Sequence, residues 1–208
     1  MSGHLRIRWA IAAKTAPRPL INCNRCGGVK AYRCSWKFRV NANGKRIDVW
    51  LIYRCVDCDN SWNFGILERC NRRDIAPELL QALESNDPAL ARRHAFDVVA
   101  LRNSVGRVEE FPEVAVHKQM LGDIEENMTA LELQLALEMP TSLRLDRLLA
   151  NELGVSRSRL QALEERRRLI IDPEGAKALR KPAREGTAIR IDLAGEPDRE
   201  AIISAAGG

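Results

Sequence analysis

Cys23-Asn24-Arg25-Cys26 and Cys55-Val56-Asp57-Cys58 are two C-x2-C pairs with 28 residues between them. Each pair of thiolates spans one edge of a tetrahedral Zn²⁺ site, and two such pairs close it. Turn-tolerant residues follow both, Gly27-Gly28 and Asp59-Asn60. They accept the positive φ that a tight metal-binding knuckle needs. A closed site of four thiolates offers no open position for water, so it holds the chain rather than hydrolysing a bond. A redox use would need a C-x-x-C beside a βαβ pattern, which is absent. Of the other two cysteines, Cys34 reads as a small core residue and Cys70 as structural. Six cysteines would also suit secreted disulfides. Residues 1–20, however, carry Arg6, Arg8, Lys14 and Arg18 and no continuous apolar run. A reducing, cytoplasmic setting and a metal are therefore expected.

Arginine carries the second chemistry. Leu145, Leu148, Leu149 and Leu153 make one helical stripe, and Arg144, Arg147 and Asn151 make another. Gly154 is a helix stop, and Ser156 caps a second helix bearing Arg157, Arg159 and Arg166-Arg167-Arg168 outside Leu160 and Leu163. Two short helices joined by one turn form an L with an arginine-rich outside, and an open helix N-terminus can receive a phosphate. These residues resemble the S-four-type RNA-binding domain of a small-subunit ribosomal protein, some pseudouridine synthases and bacterial tyrosyl-tRNA synthetases. The matching motifs are Arg144-Leu145-Asp146-Arg147-Leu148-Leu149, then Ser156-Arg157-Ser158, then Lys181-Pro182 and the run Arg184 to Ile191. By that resemblance Arg144, Arg147, Ser156, Arg157, Ser158 and Arg159 contact structured RNA, ribosomal or transfer. Arg166, Arg167 and Arg168 join them on charge alone. The sequence departs from the family at Arg166 to Gly175, where a Gly and a Val-x-Val-Asn-Gly run are usual, and at Thr187, where Asp is usual.

Around these groups the elements can be read from pattern. Asn43-Gly44 is a two-residue hairpin turn. Folding there pairs Val40 with Ile47, Phe38 with Val49, Trp36 with Leu51 and Cys34 with Tyr53 on an apolar face. The other face pairs Arg39 with Asp48, Lys37 with Trp50 and Ser35 with Ile52. This ladder brings both cysteine pairs to one end. Arg33, Lys37, Arg39 and Trp50 offer a secondary nucleic-acid face that tracks phosphates and stacks a base. Trp62 to Arg69 is a third strand. Leu5, Ile7, Trp9 and Ile11 alternate with Arg6, Arg8 and Ala10, an extra strand expected on the same sheet. Ala76-Pro77 opens a short helix to about Leu83, and Asp87-Pro88 opens one through Leu101. Leu131, Leu133, Leu135 and Leu137 alternate as a strand. His94 and His117 stand alone without spaced partners. The segment Lys37-Phe38-Arg39-Val40-Asn41-Ala42-Asn43-Gly44-Lys45-Arg46, combined with the Arg144-Leu145-Asp146 module, resembles a bacterial family of unassigned function over nearly the full length.

The fold expected is α+β in four parts. These are a zinc-ribbon-like β module (residues 1–70), an acidic helical and strand linker (71–141), an S-four-like alpha-L domain of two helices and a small β-hairpin (142–192), and a flexible tail (193–208). Their formal charges are +9, −6, +4 and −2. Basic modules flanking an acidic middle point to a polyanion such as RNA. The function expected is a non-catalytic zinc-containing RNA-binding protein without a membrane span. A protein-interaction adaptor using the ribbon and the acidic middle is an alternative. So is an RNA-modifying enzyme, although residues 71–141 show no Gly-rich phosphate loop, H-E-x-x-H or G-x-S-x-G. A DNA-binding regulator is a weaker option still.

Overall fold

The computed structural model describes residues 3–122 and 128–208. Their strands are β1 (Gly3–Ala13), β2 (Arg18–Cys23), β3 (Gly28–Asn43), β4 (Arg46–Cys55), β5 (Ser61–Asn71), β6 (Val108–Glu109), β7 (Val114–Met120), β8 (Met128–Leu137), β9 (Leu169–Asp172) and β10 (Ala188–Asp192). The helices are α1 (Pro77–Ser85), α2 (Pro88–Ala95), α3 (Val98–Val105), α4 (Leu145–Leu153), α5 (Arg157–Glu165) and α6 (Arg199–Gly207). The architecture is α+β. One β-sheet bears the four paired cysteines, a helical region follows it, and the C-terminal region has the two helices α4 and α5 and an antiparallel β-pair, followed by α6.

The four-part division does not describe this chain. Residues 1–14 and 112–208 form one unit, and residues 15–111 form a second that interrupts it. The interruption starts and stops side by side. In the first unit Ala13 pairs with Val114, and the Lys14 N–H donates to the Glu113 carbonyl at 3.0 Å. In the second, Arg18 pairs with Glu109, and Leu20 N–H donates to the Arg107 carbonyl at 2.9 Å. Adjacent ends are what an inserted domain requires. The acidic linker is thus divided: its helices and the short β6 belong to the second unit, and β7 and β8 to the first. The second unit carries 16 basic and 11 acidic residues, and the first carries 17 of each, so the whole +5 belongs to the second.

In the first unit the sheet order is β7-β1-β8-β10-β9. The alternation of β1 holds, with Leu5, Ile7, Trp9 and Ile11 buried. Its expected place on the cysteine-bearing sheet does not. It lies parallel to β8, with Leu5 beside Leu131, Ile7 beside Leu133 and Trp9 beside Leu135. Period two reports which face is buried and not which strand is the neighbour. A parallel pair also needs a long crossover, and here the crossover contains the whole second unit. The leucine stripe of α4 and Leu160 and Leu163 of α5 join this core.

The tail is ordered, contrary to expectation. Its small residues form α6, which buries Ile202 and Ala206. The Trp9 indole N–H donates to the Ala206 carbonyl at 3.0 Å, and Lys118 Nζ to the Ala205 carbonyl at 2.7 Å. Donors at a helix C-terminus satisfy carbonyls that the helix itself leaves unpaired. Trp9→Phe should therefore cost about 1 kcal/mol. It should also expose the bond after Arg199 to trypsin, which thermal unfolding and limited proteolysis would show.

In the second unit the order is β5-β4-β3-β2-β6. The β3–β4 hairpin differs from the expected ladder. Its loop is Gly44-Lys45, led by Gly44 at φ +62°, and Asn43 pairs with Arg46. The outer pairs are therefore Val40 with Val49, Phe38 with Leu51 and Arg39 with Trp50, two residues from expectation. Cys34 still meets Tyr53, because Ser35, Trp36 and Lys37 bulge out and absorb the shift. Trp36, expected on the apolar face, has φ +61° and is 41% exposed. A shift of two preserves the alternation, so Phe38, Val49 and Leu51 are buried as read. The helix expected through Leu101 is two helices. Asp97 caps α3 through the Ala100 N–H, which ends α2 at Ala95. No described helix is long and apolar enough to cross a membrane.

Candidate metal centre and arginine surfaces

Two hairpin turns build the cysteine cluster. Cys23 pairs with Gly28 across β2–β3, and Tyr32 pairs with Cys55 across β3–β4, so both turns reach the same end of the sheet. Each knuckle closes alike: the Gly27 N–H donates to the Cys23 carbonyl at 2.9 Å, and the Asp59 N–H to the Cys55 carbonyl at 3.0 Å. Gly27 (φ +68°) and Asp59 (φ +57°) supply the left-handed backbone.

The four sulfurs lie within 4.8 Å of one another, with Cys23 to Cys58 at 3.5 Å and Cys26 to Cys55 at 3.9 Å. A tetrahedral ion with metal–sulfur bonds of about 2.3 Å requires sulfur separations of roughly 3.8 Å. The donor set therefore fits such a cation. Cys23 and Cys55 are fully buried, while Cys26 and Cys58 are partly open to solvent.

Polar neighbours surround the sulfurs. A hydrogen bond from Tyr32 is the main reason the Cys23 thiol is lowered to about 6. The hydrogen bond with Cys58, followed by burial, pushes Cys26 up to about 12. Four thiols this close cannot all ionise without a cation to offset their repulsion. Asn60 Nδ2 stands 3.9 Å from Cys23 Sγ. Farther out, Lys30 pairs with Asp57 at 2.7 Å and Arg33 with Asp59 at 2.6 Å. Tyr32 was not singled out in the sequence, and Asn60 was read only as a turn residue. Their signal was there: Tyr32 has the same parity as Cys34 on the apolar face, and Asn60 adjoins the second knuckle.

The extra cysteines stay outside the cluster. Cys34 is buried, and its sulfur accepts the Trp36 N–H at 3.3 Å. Cys70 leans on the Glu68 carbonyl at 3.7 Å. His94 packs edge-on to Phe38, with ring centroids 6.1 Å apart.

The secondary face of the sheet is only partly free. Arg33 is taken up by Asp59. Arg39, rather than Lys37, lies over Trp50, at 6.0 Å, and Lys37 sits in the bulge.

In the first unit the Ser156 hydroxyl accepts the Arg159 N–H at 3.1 Å, which caps α5 as expected, and contacts Ser158 Oγ at 3.0 Å. Gly154 ends α4 in the left-handed region, at φ +66°. The Arg144 and Lys181-Pro182 motifs meet: Arg144 bridges Pro182, and Leu145 N–H donates to the Lys181 carbonyl at 2.9 Å.

The nine candidate residues then divide. Arg144 is bonded through Nε (3.1 Å) and Nη2 to buried Asp146. Arg159 binds Glu196 and Asp198, and Arg168 binds Glu196, Asp192 and the Ala194 carbonyl. These three arginines are tied to the chain's own carboxylates. Arg147, Arg157, Arg166 and Arg167 are exposed and have no ion-pair partner among the described residues. Arg147 and Asn151 line an open cleft of about 410 Å³ with Lys14 and Glu152.

The Arg159 bond chiefly holds the Glu196 carboxyl below its ordinary value of 4.5. A lowered carboxyl contributes stability that is complete above its unfolded value and is lost as pH falls through the folded one. Below pH 4.5, Glu196→Gln should therefore lose stability less steeply than the wild type, as acid titration followed by circular dichroism would show.

A sheet bearing four clustered cysteines, with a two-helix C-terminal region, defines an α+β protein with a candidate metal centre. The chain belongs to the family described as a protein of unknown function (DUF1062), whose match covers residues 40–174. That span is shorter than the near-full-length resemblance expected. It includes Cys55, Cys58 and the Arg144 to Arg168 module but not Cys23 or Cys26. Neither the curated proteins nor the solved structures compared with the chain contain a match.

Proposed function

We propose that this is a non-catalytic, zinc-containing, RNA-binding protein of the cytoplasm. The observation that carries the reading is the quartet Arg147, Arg157, Arg166 and Arg167, exposed on α4, at the start of α5 and just past its end, while neighbouring arginines are neutralised. Guanidinium groups on fixed elements suit phosphate oxygens, and a shape-reading contact with structured RNA needs little else. The meeting of Arg144 with Pro182 supports the S-four-like arrangement. Zn²⁺ is the ion that four thiolates in this geometry favour, and it stabilises the second unit without reacting.

Crosslinking in cells, followed by sequencing of the attached nucleic acid, tests the reading. Ribosomal or transfer RNA is the expected yield, and no RNA above background would refute it. A protein-interaction adaptor is favoured by one observation: Val29 and Val56, beside the knuckles, are 57% and 37% exposed. A partner protein that survives nuclease treatment in a pull-down would support that alternative.

A further inference from the structure

We infer that the tip of the β3–β4 hairpin, at the end of β4 away from the cysteines, is a second binding site for a nucleic-acid phosphate backbone. The fold gathers five cations there from separate segments. Lys45 and Arg46 come from the turn and the start of β4, Arg69 from β5, and Arg72 and Arg73 from the short turn of 3-10 helix that follows. The backbone fixes them together. Arg72 N–H donates to the Lys45 carbonyl at 2.9 Å, Arg46 pairs with Asn71, and Arg46 Nη1 reaches the Arg69 carbonyl at 3.4 Å.

Arg69 is presented by a deliberate irregularity. It sits at φ +50° where the β4–β5 register shifts, and its N–H donates to Asp48 Oδ1 at 2.7 Å. Bulges of this kind re-aim a side chain. Asn71 caps the 3-10 turn through the Arg73 N–H at 3.2 Å. All five cations are exposed, and none has a carboxylate within 4.0 Å among the described residues. Asp48, Glu68 and Asp74 are the acids on the same segments, which leaves the tip net positive.

The chemistry favours nucleic acid over an acidic protein. Four of the five cations are arginines, whose planar forks match phosphate oxygens. Protein interfaces need apolar anchors near their centre. The exposed large apolar residues of this unit, Val29, Trp36, Val56, Leu79 and Val99, all lie on other segments. The unit also carries the whole net charge of the chain. This site does not depend on the α4–α5 reading.

The test uses the intact zinc-loaded protein, bulk transfer RNA and a DNA duplex of similar length, titrated by fluorescence across a salt series. The variant Arg46→Gln/Arg72→Gln/Arg73→Gln should keep its zinc and melting temperature. It should bind both nucleic acids roughly tenfold more weakly at low salt, with the salt slope smaller by about 2 to 3. Wild-type affinity and slope in this variant would overturn the proposal. So would competition by polyglutamate as strong as that by RNA of equal charge. The variant Arg147→Gln/Arg157→Gln/Arg166→Gln/Arg167→Gln separates the two sites. If it alone loses binding, the tip proposal falls and the α4–α5 reading stands. If the tip variant alone loses binding, the reverse holds.

Discussion

Cys55→Ser is expected to abolish stoichiometric zinc and to unfold the Thr15–Phe111 unit. Cys55 is fully buried, and its backbone closes the second knuckle through Asn60 and Asp59. Three thiolates and a hydroxyl hold zinc far less well than four thiolates. Structural zinc sites bind with apparent energies of about 10–16 kcal/mol at neutral pH. That equals or exceeds the roughly 5–15 kcal/mol by which a domain is usually stable. Elemental analysis should find about one zinc per wild-type chain and well under one in the variant. Far-UV circular dichroism should show lost β-signal. A strong chelator should act likewise, and so should acid, since the ligands bind zinc only when deprotonated. Cys34→Ser and Cys70→Ser should keep their zinc, because neither sulfur belongs to the cluster. Full zinc and a wild-type spectrum in Cys55→Ser would remove the tetrathiolate site.

Removing Arg147, Arg157, Arg166 and Arg167 together should weaken RNA binding by roughly a hundredfold near 0.1 M salt, with a slope shallower by about 3. The expectation rests on their lack of carboxylate partners among the described residues. Each would therefore meet a phosphate without first leaving an ion pair. Arg159→Gln is the contrast. Its guanidinium joins α5 to Glu196 and Asp198. Its loss should lower stability more than affinity. Equal binding losses in both variants would mean that the acidic turn opens to RNA and that the division of the arginines is wrong.

The cysteine cluster was the most legible part of the sequence, because C-x2-C spacing is local and the hairpin between the pairs permits few alternatives. Caps were legible for the same reason: Ser156 and Asp87 bond N–H groups three residues away. Burial was legible too, in β1, in β8 and in the stripe of α4. Four features were not. The hairpin register depended on whether Asn43 or Gly44 led the turn, and the compensating bulge at Trp36 has no composition signal. The partner of β1 lies more than 100 residues away, beyond an inserted unit that period two cannot reveal. The tail looked frayed because its residues are small, yet Trp9 and Lys118 gave its carbonyls donors. The arginines were found by type, but their carboxylate partners at Glu196 and Asp198 were not. Those pairings are tertiary, and they decide which charges remain available.

A salt series on the intact wild-type protein is the most direct test of the whole account. Structured RNA is titrated at successive monovalent salt concentrations, and the logarithm of the association constant is plotted against that of the salt. Charge placed against phosphate without any reaction predicts a steep, straight decline, with RNA recovered unaltered at every point. A flat line, no binding at the lowest salt, or RNA cleaved or modified at the end would contradict it.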